Sequence, residues 1–438
     1  MGSGKTAYIN ARLLDPASGL DEIGTLLTEG RAIADIGSHL FADGVPDDIR
    51  VVDCQGHCLA PGLVDMRVQL REPGEEHKGT LASAGQSAAV GGVTSMVCLP
   101  NTDPVIDDMS VLEFVARRAR KLGLAKVYPY GAVTKGLKGE ELAEMGMLAE
   151  AGAVAFTDGV KAVANAKTMR RALSYAGTFD LLIAQHPEEP NLADSGAMNG
   201  GETATRLGLP GIPSVAEVIM VARDIRLAED AGARLHISHV STADALEVIR
   251  KGRDRGVRVT CDTAPPYFAL NEMEVGDYRT FAKLSPPLRV ESDRQAVIEG
   301  LKDGTITAIA SDHAPQDEDA KRLPFAQAAF GGVGLETLLA TSLMLYHSEG
   351  MPLLDVIGLM THRPAELLGL PGGKLAKGAP ADLVVFDPEP GWRVDPDTFL
   401  SKSKNSPFDG KPVQGKVMRT IVDGRTVYDA EALVKQWS

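Results

Sequence analysis

The sequence predicts an α/β architecture, a (β/α)8 barrel of the TIM type inserted into a small composite β-sandwich. Three observations lead to it. The chain has 438 residues, 44% hydrophobic and only 5% aromatic, which is enough apolar mass for a barrel of roughly 250 residues and a smaller companion. From about residue 60 to 370, eight β-rich runs alternate with helical, Ala- and Leu-rich stretches, the order that right-handed crossovers impose on a parallel sheet. The two flanks carry short strands broken by Gly and Asp turns, too few at either end to bury a core alone.

Taken in order, the first flank offers AYINARLLD, GTLLTEGRAIADIG and RVVDCQG as strands. The barrel runs follow at 62–70 (GLVDMRVQL), 94–100 (TSMVCLP), 126–134 (KVYPYGAVT), 154–159 (VAFTDG), 181–186 (LLIAQH), 234–241 (RLHISHVS), 257–263 (VRVTCDT) and 307–315 (TAIASDHAP). Helical periodicity separates them, from Val111 to Leu122, Val163 to Tyr175, Ser214 to Ala231, Thr242 to Arg255 and Arg294 to Asp303. ADLVVFD and VMRTIVDGRTVY supply the last strands, and Ser401 to Pro412 reads as a loop over the β domain or the barrel edge. The expected boundaries are 1–59 with 370–438 for the composite domain and 60–369 for the barrel.

Composition excludes several classes of function. A net charge of −14 with no basic stripe argues against a nucleic-acid partner. No apolar run approaches the ~20 residues of a spanning helix, and the opening Met1 to Thr6 lacks a signal-peptide core, so the expected compartment is the cytoplasm, away from any membrane. Cys54, Cys58, Cys98 and Cys261 are too few and scattered for a disulfide framework. The Cys54, His57, Cys58 cluster has no second pair to complete a zinc site.

Reacting groups in such barrels come from the C-terminal ends of the strands. There the sequence places Arg67, Gln69, Arg71, Asn101, Asp158, His186, His236, His239, Asp262, Asp312 and His313. A single histidine on a strand is most often a satisfied core residue; several at equivalent strand ends exceed what packing requires. His39 and His77 read as surface residues, and His313 as packed beside Asp312. The runs Glu75-Glu76, Glu188-Glu189 and Asp317-Glu318-Asp319 read as solvated loops. Gly331-Gly332-Val333-Gly334 fits either a close backbone approach to a ligand or a tight turn.

The segments APGLVDMRVQLREPGEEHKGT, GGVTSMVCLPNTDP, AFTDG, IAQHPEEPNL, LHISHVST, IASDHAP and FGGVGLETLL run in order along the chain. Together they resemble the dihydroorotase family of the amidohydrolase superfamily, and KLAKGAPADLVVFDP with SKSKNSPFDGKPVQGKV resembles that family's composite β domain. The resemblance implies metal-dependent interconversion of N-carbamoyl-aspartate and dihydroorotate in pyrimidine synthesis, with cyclic imide and hydantoin hydrolases as relatives on the same barrel. It implies Asp312 as the general base, Arg71 and Asn101 as holders of the substrate carboxylate, and Asp158, His186 and His239 as ligands of the second metal.

The family's first strand ends D-x-H-x-H, whereas this chain has Arg67 and Gln69 at the histidine positions. Arginine has no lone pair for a metal and stays charged, and a Gln carbonyl is a poor zinc ligand. Ala264-Pro265-Pro266-Tyr267 stands where Pro-His-His is usual, Gln316 replaces a histidine, and AFTDG has one Asp where the family has two. At most one zinc is expected, and the guanidinium of Arg67 is expected to replace the first metal and pair with Asp312 or Asp158, because bare clustered carboxylates are costly. The leading expectation is a catalytically impaired or inactive family member, in a homo-oligomer, that binds dihydroorotate or carbamoyl-aspartate and acts as a partner of aspartate transcarbamoylase. The alternatives are an active single-zinc dihydroorotase or related cyclic-amide hydrolase, and a carboxylate-binding sensor.

Overall fold

The computed structural model describes residues 4–432. Its centre is a parallel sheet of eight strands whose spatial order follows the chain: Leu63–Val68, Val93–Cys98, Lys126–Gly131, Ala155–Phe156, Leu182–Gln185, Arg234–Ile237, Val259–Thr263 and Ala308–Ile309. The ring closes where Val68 pairs with His313 and the Gln69 N–H donates to the His313 carbonyl at 2.9 Å. Seven of the eight expected runs contain one of these strands, and the run 94–100 overlaps Val93–Cys98, which starts one residue earlier. The strands Ala155–Phe156 and Ala308–Ile309 are two residues long, shorter than the runs that contain them.

Alternation along the strands sorts residues between two cores. Cys98, Ile183, Leu235, Ile237 and Ile309 belong to the large cluster shared with the surrounding helices. Val97, Leu99, Leu182, Ala184, Ala308 and Ala310 belong to a separate cluster on the opposite faces. Continuing the second set by twos leads to Asn101, His186 and Asp312, so the periodicity that fills the barrel also delivers polar side chains to its mouth. The helices Met109–Leu122, Ala166–Thr178, Val215–Ala231, Ala243–Asp254 and Glu291–Lys302 pack outside. Asp108, Asn165 and Thr242 accept backbone N–H bonds at three of their starts, satisfying donors that a helix cannot satisfy itself. Among the described residues no helix is long and apolar enough to cross a membrane.

The two flanks form one hydrogen-bonded sheet of eight strands. Cys58–Pro61, at the end of the first flank, lies parallel to Lys5–Asp15 and antiparallel to Leu383–Phe386 of the second. Tyr8, Leu13, Leu26, Ile33, Leu59, Leu383, Val385 and Ile421 form its core. Buried Asp15 accepts the Leu375 N–H at 3.1 Å and ties the two ends again. The hairpin between Pro412–Val422 and Arg425–Asp429 turns on Asp423 and Gly424, both at positive φ (48° and 71°), which suits the twist of a two-residue hairpin. Cys54, Cys58, Cys98 and Cys261 are buried free thiols.

The 401–412 loop braces the barrel mouth. Ser403 Oγ donates to the Lys78 carbonyl at 2.6 Å, and Asn405 Nδ2 donates to the carbonyls of Ala314 and Gly331 while its Oδ1 accepts the Gln316 N–H. A Cβ at Gly424 would run into the Gly30 carbonyl, whereas Gly19, also at positive φ, faces open space. Gly424→Ala should therefore lose roughly 1–3 kcal/mol of stability, clearly more than Gly19→Ala, when both are measured by urea unfolding. Equal losses would show that the Gly30 contact between the flanks carries no weight.

Candidate active site at the barrel mouth

Arg67, Gln69, Arg71, Asn101, His186 and Asp312 line one cavity of about 320 Å3 at the C-terminal ends of the strands. Arg67, 3% exposed, donates from Nε to Asp312 Oδ1 at 2.8 Å and from Nη2 to the Gly159 carbonyl at 3.3 Å. The pairing expected of this arginine is thus made to Asp312. Burial pushes the Asp312 carboxyl up, but His239 and Arg67 outweigh it and hold the group below its usual range. Asp312 Oδ2 lies 3.4 Å from His239 Nδ1, and His239 Nε2 lies 2.7 Å from His186 Nδ1. Burial, followed by the nearby Arg67 charge, pushes the His239 imidazole down to about 4.

Support for these groups lies one layer deeper. Asp65 is fully buried; its Oδ1 accepts the N–H groups of Ser311 and Arg67, locking strand one to strand eight, and burial raises its carboxyl to about 7. Asp262 accepts the His239 N–H at 2.6 Å through Oδ1, and its Oδ2 lies 2.9 Å from His236 Nε2. His236 is therefore a support rather than a member of the cavity. Arg71, His239 and Asp312 all sit at positive φ (65°, 41° and 51°), a conformation that non-glycine residues adopt at a cost and that gathers at functional sites.

Asp158 differs from its expected place. Its Oδ1 accepts the N–H groups of Val133 and Thr134 at 3.0 and 2.9 Å, and its Oδ2 takes the Thr134 hydroxyl. Burial raises its carboxyl despite these bonds. Ala155 faces the barrel interior and Phe156 the helices, so residue 158 has outward parity and closes the neighbouring loop. Glu188 differs in the opposite sense. Read from sequence as solvated, it lines the cavity with its side chain 18% exposed and Oε1 3.7 Å from His186 Nε2; His186 holds it below its usual range against the upward push of burial. An acidic pair carries no sign of which member turns inward; here Glu189 caps the short helix that follows.

Glu75, read as solvated, keeps its side chain 31% exposed and pairs with Arg71 Nη1 at 2.6 Å and Lys78 Nζ at 2.5 Å. Arg71 Nε is taken by the Pro315 carbonyl, and Asn101 Nδ2 donates to Gln69 Oε1 at 3.1 Å. His313 closes the barrel through its backbone and accepts the Gly334 N–H through Nδ1. Gly331 lines the cavity and packs so closely that a Cβ would stand 2.8 Å from Ala314 Cβ. Exposed His77 lies 3.6 Å from Asp317, and His39 is exposed.

These donors do not fit zinc as they are arranged. Two imidazole nitrogens on one tetrahedral zinc stand about 3.3 Å apart, whereas His186 and His239 share a hydrogen bond at 2.7 Å. Both Asp158 oxygens are spent, and Arg67 fills the first-strand position. Among the described residues no group of three or more His, Cys, Asp or Glu side chains is arranged to hold a metal ion. What the mouth offers is a neutralised, hydrogen-bonding cavity. Arg67→Met should lose about 3–5 kcal/mol of stability by leaving Asp312 without its guanidinium. The double variant with Asp312→Asn should recover most of that in a double-mutant cycle; additive losses would deny the coupling.

A family profile described as Dihydro-orotase-like matches residues 56–245, and one described as Amidohydrolase family matches residues 203–428. The chain is 50% identical over 428 residues to a protein of Anaplasma phagocytophilum named dihydroorotase, covering 97% of this chain and 95% of that one. It is 46% identical to a protein of the same name from Ehrlichia chaffeensis, covering 98% and 96%. Among solved structures, the L-hydantoinase (dihydropyrimidinase) of Arthrobacter aurescens superimposes with a TM-score of 0.85 at 25% identity, over 98% of this chain and 96% of that one. With this barrel, this strand-end site and relatives that span nearly the whole chain, the protein belongs to the dihydroorotase family of the amidohydrolases.

Proposed function

We propose that this chain is a catalytically impaired dihydroorotase homologue of pyrimidine synthesis, a cytoplasmic protein that binds carbamoyl-aspartate or dihydroorotate and acts alongside aspartate transcarbamoylase. The observation that carries the reading is the ion pair of Arg67 with Asp312. Water near a pKa of 15.7 is a negligible nucleophile at neutral pH, and a metal is what lowers it to about 7 in such enzymes. Here a guanidinium stands where the first pair of metal ligands would be, and it engages the carboxylate that the family uses as general base. Each tenfold in rate is about 1.4 kcal/mol, so losing the activated hydroxide removes several factors together. Arg71 and Asn101 remain in the cavity, and binding a carboxylate through such groups needs no metal.

The name carried by the relatives at 46–50% identity favours a second reading, an active dihydroorotase using a single zinc at His186 and His239 after those rings separate. Metal analysis with a dihydroorotate assay decides between them. The impaired protein should hold less than one zinc per chain, open dihydroorotate no faster than the blank, and co-purify with aspartate transcarbamoylase. Arg67→His combined with Gln69→His should raise zinc uptake. Zinc-dependent turnover that vanishes in Asp312→Ala would establish the enzyme instead. Ligand binding with neither turnover nor transcarbamoylase association would leave a sensor.

A further inference from the structure

Both arginines of the cavity have a donor left over. Arg67 commits Nε to Asp312 and Nη2 to Gly159, and among the described residues Nη1 has no acceptor. Arg71 commits Nε to Pro315 and Nη1 to Glu75, which leaves Nη2. Gln69 presents its Nε2 amide, since its Oε1 accepts from Asn101. All three side chains are nearly buried and line the same cavity, so their free N–H groups have only the cavity contents to bond. Acceptors are left over as well: among the described residues Glu188 Oε2 and Gln316 Oε1 have no hydrogen-bond partner, and both residues line the cavity. Unpaired buried polar groups are unfavourable, and this set calls for a ligand with acceptors at one end and N–H donors at the other.

Building on the reading that the site binds without converting, we propose that Arg67 is a carboxylate receptor, and that the cavity selects the open-chain ureido dicarboxylate over its ring-closed form. Ring closure joins the second carboxylate's carbon to the terminal ureido nitrogen, with uptake of a proton and loss of water, so it removes one anionic group and one ureido N–H bond. The open chain keeps both. One carboxylate faces Arg71, the second faces Arg67 and Gln69, and the ureido N–H groups face Glu188. Arg67, Arg71 and Lys78 are balanced by Asp312, Glu75 and Glu188 around the cavity. Selection therefore rests on directed, charge-assisted hydrogen bonds rather than on a net positive field.

Calorimetric titration of the full chain with three ligands tests this without relying on a variant to fold. The ligands are N-carbamoyl-aspartate, N-carbamoyl-asparagine, whose second carboxylate is a neutral amide, and dihydroorotate. Carbamoyl-aspartate should bind about tenfold or more tighter than either of the others, and Arg67→Gln should remove that margin. Equal affinity for carbamoyl-aspartate and carbamoyl-asparagine, an equal or tighter fit for dihydroorotate, or no binding of any ligand overturns the proposal. Turnover is read separately: zinc-dependent ring opening would defeat the proposed function, whereas a wrong order of affinities with no turnover defeats this inference alone.

Discussion

A guanidinium and a carboxylate, both withdrawn from water, govern the character of the barrel mouth. Taking the Arg67 and Asp312 charges out of water is unfavourable, and their attraction offsets that only where geometry is good and the remaining donors and acceptors are met. The first condition holds and the second is met in large part, with a 2.8 Å contact, the Gly159 carbonyl on Nη2 and His239 near the far oxygen of Asp312, which leaves only Nη1 of the guanidinium open to the cavity. The fixed positive charge then disfavours protonation of His239, and a neutral His239 is free to share a hydrogen bond with His186. A cluster that could have gathered cations is thereby turned into a closed chain of internal contacts.

The pair keeps its geometry because the seam of the barrel lies beside it. Strands one and eight meet through Val68 and His313, and Asp65 bonds the backbones of both Arg67 and Ser311. Asn405, from the second flank, holds the segment after strand eight at three points. The small sheet therefore does more than bury its own strands, because a loop grown from it fastens Ala314, Gln316 and Gly331, which line the cavity.

Much of this was legible in the residues themselves. Alternation and element order were enough to locate all eight barrel strands, because parallel strands buried on both faces leave long apolar runs, and strand ends identified Arg67, Gln69, Arg71, Asn101, His186 and Asp312 as neighbours. The failures have physical causes. Asp158 follows a strand of two residues, so a one-residue uncertainty in where that strand ends reverses the side on which the carboxylate emerges. Glu188 lies in an acidic, proline-flanked segment whose composition is that of any exposed turn; only the path of the backbone after His186 brings it inward. The bracing by Asn405 joins positions about 90 apart in sequence, a distance over which no local pattern carries information.

The sheet shared by both ends of the chain has a consequence for how the protein is made. Asp15 waits for Leu375, 360 positions later, and Cys58–Pro61 waits for the strand beginning at Leu383. At a synthesis rate of roughly 5–20 residues per second, the first strands leave the ribosome roughly 20–70 s before their partners exist. During that interval Cys58–Pro61 presents an unpaired edge, a template for pairing with other nascent chains. The barrel, whose strands meet their neighbours in the order of translation, can assemble in the meantime and bring the two ends of the chain within reach of each other.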